Sequence, residues 1–171
     1  VIGKCLAIED ELANISISLI LGKPGTGKTL GFAYAVEDCV NNSIPAILIQ
    51  AKGANSTDWT KLLSQELELN NWNKNEIFNA LEALAIKKDS QLASENVNNF
   101  QNTNVLICID GLDEDIMNDS NWYDRINEAL EIINKYKRIR FVFSAREYFY
   151  NNQRLPNCQK NYKELRLKRE G

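Results

Sequence analysis

Apolar residues along the chain gather into short dense runs, separated by longer segments in which they recur every three or four positions. The first run, ISISLIL from Ile15 to Leu21, is β-branched and apolar and stops at Gly22, the pattern of a strand. In TLGFAYAVEDCV, which follows, Leu30, Ala33, Val36 and Val40 recur at helical spacing. IPAILIQA sets Ile47, Leu48 and Ile49 in succession, as in a strand buried on both faces. TDWTKLLSQEL reads as a helix with Ser56 or Thr57 as its N-cap. NKNEIFNALEALAIKK reads as a second helix, opened by a capping box of Asn73 and Glu76 and buried through Ile77, Leu81 and Leu84. DSQLASENVNNFQNTN is polar and Asn-rich, and is expected to be mostly a mobile surface connection.

The second half repeats the alternation. VLICID, Val105 to Asp110, is a buried strand, and DSNWYDRINEALEIINKY is a helix that turns Trp122, Ile126, Leu130 and Ile133 inward. IRFVFS, Ile139 to Ser144, is a fourth strand, and YKELRL, Tyr162 to Leu167, alternates like a fifth at a sheet edge. Trp59, Trp72 and Trp122 occupy helical positions and are expected to anchor packing. Strands alternating with helices imply an α/β fold, a parallel sheet covered on both faces.

Composition narrows the picture. A chain of 171 residues points to one domain and can bury close to ~70% of the surface it exposes when unfolded. Its 20 Lys+Arg against 23 Asp+Glu give a net charge of −3, without the basic excess of a nucleic-acid binder. The chain holds no histidine, which excludes a Cys/His zinc site and a Ser-His-Asp triad. Cys5, Cys39, Cys108 and Cys158 form no CxxC pair, and are expected to be free thiols of a cytoplasmic protein. No apolar stretch approaches the ~20 residues of a membrane helix. The chain opens on Val1 rather than Met, so residues 1–171 are expected to be one domain of a larger multidomain protein.

Candidate chemistry concentrates at three places. GKPGTGKT, from Gly22 to Thr29, matches GxxxxGK[ST] between a predicted strand and a predicted helix. Chance produces that pattern in roughly one chain of this length in a hundred. Gly22, Gly25 and Gly27, among Lys23, Pro24 and Thr26, let the backbone curl so that its N–H groups face phosphate oxygens. Lys28 neutralises the β- and γ-phosphates, the Thr29 hydroxyl binds Mg²⁺, and the helix from Leu30 onward presents its positive end to the same anion. The strand ending in Asp110 supplies a carboxylate for Mg²⁺, the second half of such a site. Beyond it, Asp113 and Glu114 are either a solvated acidic turn or a hydrolytic base displaced by Gly111, which fills the slot where many ATPases carry a catalytic Glu. Arg146, just after the fourth strand, is either a surface arginine or a sensor of the γ-phosphate. The neighbouring Tyr148, Phe149 and Tyr150 read as core or as a cover for the sheet edge, with nucleobase stacking as the alternative.

GKPGTGKT, LICIDGLDE and FVFSARE, in that order, with NWYDRI after the second, make the chain resemble the NTPase domain of STAND proteins, the signal-transduction ATPases that include the NACHT group. The resemblance covers about Ile15 to Leu167. It implies the P-loop NTPase fold with strand order 5-1-4-3-2, and ATP or ADP with Mg²⁺ as cofactors. It further implies that Asp113 and Glu114 are the hydrolytic acids and that Arg146 reads the γ-phosphate. Members resemble switches that exchange ADP for ATP and then form homo-oligomers, many of them in bacterial defence against phage. The closing helical and winged-helix parts, and the sensor and effector domains, are expected to lie outside this chain. A nucleotide-gated scaffold without hydrolysis, an AAA+-like nucleic-acid motor or loader, and a small-molecule kinase stand as alternatives. With no NKxD guanine-reading motif in the sequence, ATP is expected over GTP.

Overall fold

A computed structural model of the chain describes residues 16–52, 58–95, 102–114, 119–147 and 163–167. The strands are β1 (Ile17–Gly22), β2 (Ala46–Gln50), β3 (Val105–Asp110), β4 (Ile139–Ala145) and β5 (Lys163–Leu167). The helices are α1 (Lys28–Asn41), α2 (Trp59–Glu66), α3 (Lys74–Ser94) and α4 (Asp119–Lys135), with a short 3₁₀ turn at Leu112–Glu114. The strands form one sheet in the order β2-β3-β4-β1-β5, and every pairing is parallel. Read from its β5 edge this is the expected 5-1-4-3-2.

Side chains alternate across a strand, and here the alternation divides the core in two. Ile17, Leu19 and Leu21 of β1, Val105, Ile107 and Ile109 of β3, and Phe141 and Phe143 of β4 share one large cluster with Trp59, Leu63, Phe78, Trp122 and Ile126. That face is covered by α2, α3 and α4. The intervening positions Ile20, Cys108 and Val142 meet Phe32 of α1 on the opposite face, with Val36, Leu48 and Leu106 packed against them. Trp59 is the centre of the larger cluster. It is fully buried, its ring lies 4.8 Å from that of Phe141, and its indole N–H donates to the Arg125 carbonyl at 3.3 Å. Among the described residues neither Cys39 nor Cys108 forms a disulfide, and burial pushes the Cys108 thiol far above its ordinary pKa. Cys5 and Cys158 lie outside the described residues.

The capping box forms as expected: Asn73 Oδ1 accepts from Glu76 N at 3.1 Å, and Asn73 N donates to Glu76 Oε2 at 2.7 Å. Several details differ from expectation. The N-cap of α2 is Asp58, whose carboxylate accepts from Lys61 N at 3.1 Å, one residue past Thr57. Helix α3 runs on to Ser94, so the first part of the Asn-rich segment is helical. Its last part is tied down where Thr103 N donates to Asp89 Oδ1 at 2.7 Å. The buried stripe of α3 is Ile77, Phe78, Leu81 and Ala85, leaving Leu84 51% exposed. Helix α1 likewise seats Phe32 on the sheet and leaves Leu30 and Val40 exposed. Trp122 and Ile126 are buried, with Leu130 and Ile133 packed partly against the core. Trp72 is 41% exposed and anchors nothing comparable to Trp59 or Trp122. Ser56, Thr57 and the cluster Tyr148–Tyr150 lie outside the described residues. Among the described residues, no helix is long and apolar enough to cross a membrane.

The burial contrast yields a first prediction. Trp59→Ala removes the centre of the larger core and is expected to cost about 3–5 kcal/mol, whereas Trp72→Ala is expected to stay within about 0.5 kcal/mol of the parent. Urea denaturation of the two variants checks this, and equal losses would contradict the assigned core.

Candidate functional site

Because the sheet is parallel, every strand delivers its C-terminal end to the same edge. At that edge β1 runs into the glycine-rich loop, and Gly25 and Gly27 take positive φ of 74° and 83°. L-residues rarely adopt that conformation, so glycine is what lets the chain curl into the start of α1. The Lys28 ammonium folds back over the loop, donating to the Gly22 carbonyl at 2.9 Å and the Lys23 carbonyl at 3.2 Å. The Thr26 hydroxyl donates to the same Lys23 carbonyl at 2.9 Å.

Strand parity positions the rest. Cys108 pairs with Val142 and Ile109 with Phe143, so Asp110 ends β3 on the α1 face, beside Ser144 of β4. Thr29, in the first turn of α1, reaches down to this face, and its hydroxyl donates to Asp110 Oδ2 at 2.6 Å. The Ser144 hydroxyl donates to Asp110 Oδ1 and accepts from Gly111 N at 2.9 Å. Both carboxylate oxygens of the buried Asp110 are thereby oriented. Gly111 takes a φ of 74° and turns the chain into the 3₁₀ turn, where Glu114 N donates to the Gly111 carbonyl at 2.8 Å.

The acids of that turn meet the end of β4. Arg146 N donates to Asp113 Oδ1 at 2.9 Å, and Arg146 Nε lies 3.1 Å from Asp113 Oδ2. Arg146 Nη2 donates to Glu114 Oε1 at 2.9 Å. Pro24 to Leu30, Asp110, Gly111, Asp113, Glu114, Ser144 and Arg146 line one cavity of about 340 Å³. Of the residues expected to touch nucleotide, Gly22 and Lys23 are not in its wall, and act through their carbonyls on Lys28. Burial draws the Lys28 ammonium below its ordinary 10.5 and Arg146 pushes the same way, while Asp113, Asp110 and Glu114 oppose the fall.

The donor set at the cavity floor is a hydroxyl and a carboxylate, hard oxygens of the kind Mg²⁺ takes from protein when phosphate and water complete its shell. Thr29 and Asp110 fit that ion. Among the described residues, no cluster of three or more His, Cys, Asp or Glu side chains offers a self-sufficient metal cage, which suits a metal shared with phosphate. Ser144 was not singled out from sequence. Its signal is parity: it is the polar residue closing FVFS on the strand beside the one that ends in Asp110.

No family model and no curated protein matches the chain. Solved structures do. The chain is similar to the Aeropyrum pernix ORC2 protein in its ADPNP–ADP complexes, at 14% identity and a TM-score of 0.55 over 96% of this chain and 46% of that one. It is similar to Drosophila ORC bound to DNA, at 15% identity and a TM-score of 0.57 over 100% of this chain and 47% of that one. A further match is Drosophila ORC bound to GC-rich DNA and Cdc6, at 13% identity and a TM-score of 0.50, over 96% of this chain and 57% of that one. The fold is that of the P-loop NTPases. The chain spans about half the length of these proteins.

Ser144→Ala deletes one of the two hydroxyls that orient Asp110 and leaves Gly111 N without its acceptor. The affinity of the nucleotide complex for Mg²⁺ is expected to fall about 10–100-fold, as for other residues that orient a metal ligand. Titrating Mg²⁺ or Mn²⁺ against the protein with excess ADP measures it, and an unchanged affinity would remove Ser144 from the site.

Proposed function

We propose that this chain is the nucleotide-binding core of a STAND, NACHT-like signal-transduction ATPase, one that binds Mg-ATP and Mg-ADP and hydrolyses ATP slowly to control oligomerisation. The observation that carries the proposal is the convergence of Lys28, Thr29, Asp110, Asp113, Glu114 and Arg146 on one cavity at the C-terminal edge of a parallel sheet. Loop N–H groups and the α1 N-terminus receive the polyphosphate, and Lys28 supplies the positive charge. Thr29 and Asp110 hold Mg²⁺, which, when bound, neutralises charge developing on the phosphates. Arg146 reads the γ-phosphate, and the acidic turn supplies the base that prepares the attacking water. What favours a STAND-type switch is the DGLDE turn: Gly111 follows Asp110 directly, and the acids come two and three residues later. A role in defence against phage, with sensor and effector domains elsewhere in the same protein, belongs to this proposal.

A second function has its own support. The structural likeness is to ORC proteins, two of the matches being solved with DNA. An AAA+-like motor or loader acting on nucleic acid would share this cavity. A nucleotide-gated scaffold without turnover would share it too, and single-turnover hydrolysis separates that case.

Lys28→Ala removes a group expected to make at least two charge-assisted bonds to phosphate, each worth about 1.5–3 kcal/mol. Mg-ATP affinity is therefore expected to drop by ~100-fold or more. Equal calorimetric affinities for parent and variant would refute the phosphate site. For the class of function, the full-length protein is expected to assemble in ATP and to disperse in ADP by light scattering, with no stimulation of turnover by DNA. Turnover that rises on adding DNA, without assembly, would favour the loader.

A further inference from the structure

This inference rests on the ATPase proposed above and assigns the two acids of the 3₁₀ turn different tasks. Asp113 is almost wholly enclosed, its side chain 2% exposed, and its two oxygens take two groups of one residue, the backbone N–H and the Nε of Arg146. That two-point grip fixes both where Arg146 leaves β4 and the plane in which its guanidinium lies. Both Asp113 oxygens are engaged by Arg146, and Asp113 is far less open to water than Glu114. Glu114 is different. Its side chain is 41% exposed, and it holds Arg146 Nη2 through Oε1 alone. Among the described residues, nothing hydrogen-bonds its Oε2.

Position 111 explains why an acid three residues later can serve. A Cβ built on Gly111 would lie 3.5 Å from both Cδ and Cγ of Glu114. The Glu114 side chain thus packs in van der Waals range of the position directly after Asp110. A base sited there is within reach of a water beside the γ-phosphate. We propose that Glu114 is the general base and that Asp113 is a positioning residue, acting through Arg146 to set the reader of the γ-phosphate. In the step, the oxygen of water bonds to the γ-phosphorus. The bond from that phosphorus to the β,γ-bridging oxygen breaks, and its electron pair stays with ADP. The Glu114 carboxylate takes a proton from the water and passes it on to the released phosphate.

The test uses the full-length protein, with Mg-ATP and Mg-ADP affinities by calorimetry and hydrolysis by single turnover. Glu114→Gln is expected to slow hydrolysis about 10²–10⁴-fold and to keep the parent ratio of ATP to ADP affinity within about twofold. Asp113→Asn keeps an acceptor for Arg146 N but loses the charge opposite Nε. It is expected to lower that ratio about tenfold, and to add nothing further in an Arg146→Ala background, because its effect passes through Arg146. Asp113→Ser, whose hydroxyl also accepts from Arg146 N, is the second variant if Asp113→Asn fails to fold. Parent-like hydrolysis by Glu114→Gln overturns the base assignment. Loss of turnover in Asp113→Asn at the parent affinity ratio, fully additive with Arg146→Ala, makes Asp113 the base and overturns both assignments. Failure of the parent protein to bind Mg-ATP at all would instead sink the underlying ATPase function.

Discussion

Thr29 and Asp110 stand 81 positions apart in sequence and are joined by one hydrogen bond of 2.6 Å. The site depends on that contact, because it fixes the phosphate loop against the end of β3. It demands that α1 start directly after the loop, that the loop turn tightly enough to aim Thr29 downward, and that β3 end with Asp110 on the α1 face. Glycines at positive φ meet the second demand, and strand parity meets the third. Phe32, three residues past Thr29, locks α1 onto Ile20, Cys108 and Val142. Hydrophobic packing thus holds a polar bond in register, with the buried Asp110 at its inner end.

Parity is also why so much of the architecture was legible. The strands have runs of apolar residues on both sides of the sheet, so their limits differ from expectation by a residue or two, and alternation within VLICID and FVFS decides which face each side chain meets. The phosphate loop was legible for another reason: its residue types are dictated by backbone conformation and by the charge of the ligand it suits, and little else calls for that combination. Asp110 and Arg146 followed from their places at the ends of buried strands.

The helix faces were harder, for a physical reason. In NALEALAI of α3, apolar residues lie nearly all the way round, so that Leu81, Ala83, Leu84, Ala85 and Ile86 offer more than one stripe. Only the neighbours select Ala85 over Leu84, since a small residue lets the helix come close to the sheet. The same ambiguity in α1 was settled by Phe32: of the expected Leu30–Ala33–Val36–Val40 stripe, Val36 shares its face with Phe32, while Leu30 and Val40 stay exposed. Among the site residues, the contrast between Asp113 and Glu114 was hidden because two adjacent acids look alike in sequence. One turn of 3₁₀ geometry encloses the first and leaves the second open to solvent.

The left-handed turn at Gly111 also limits how this site can change over time. Moving the acid next to Asp110 by a single substitution would put an L-residue where φ is 74°, a cost of about 1–2 kcal/mol. Its Cβ would lie 3.5 Å from the Glu114 side chain, in ordinary van der Waals contact. An intermediate carrying both acids would set like charges against each other before either was lost. Adjacent and displaced acids are therefore two separate solutions, with an unfavourable step between them, and a lineage that has adopted one is held there by the handedness of a single peptide turn.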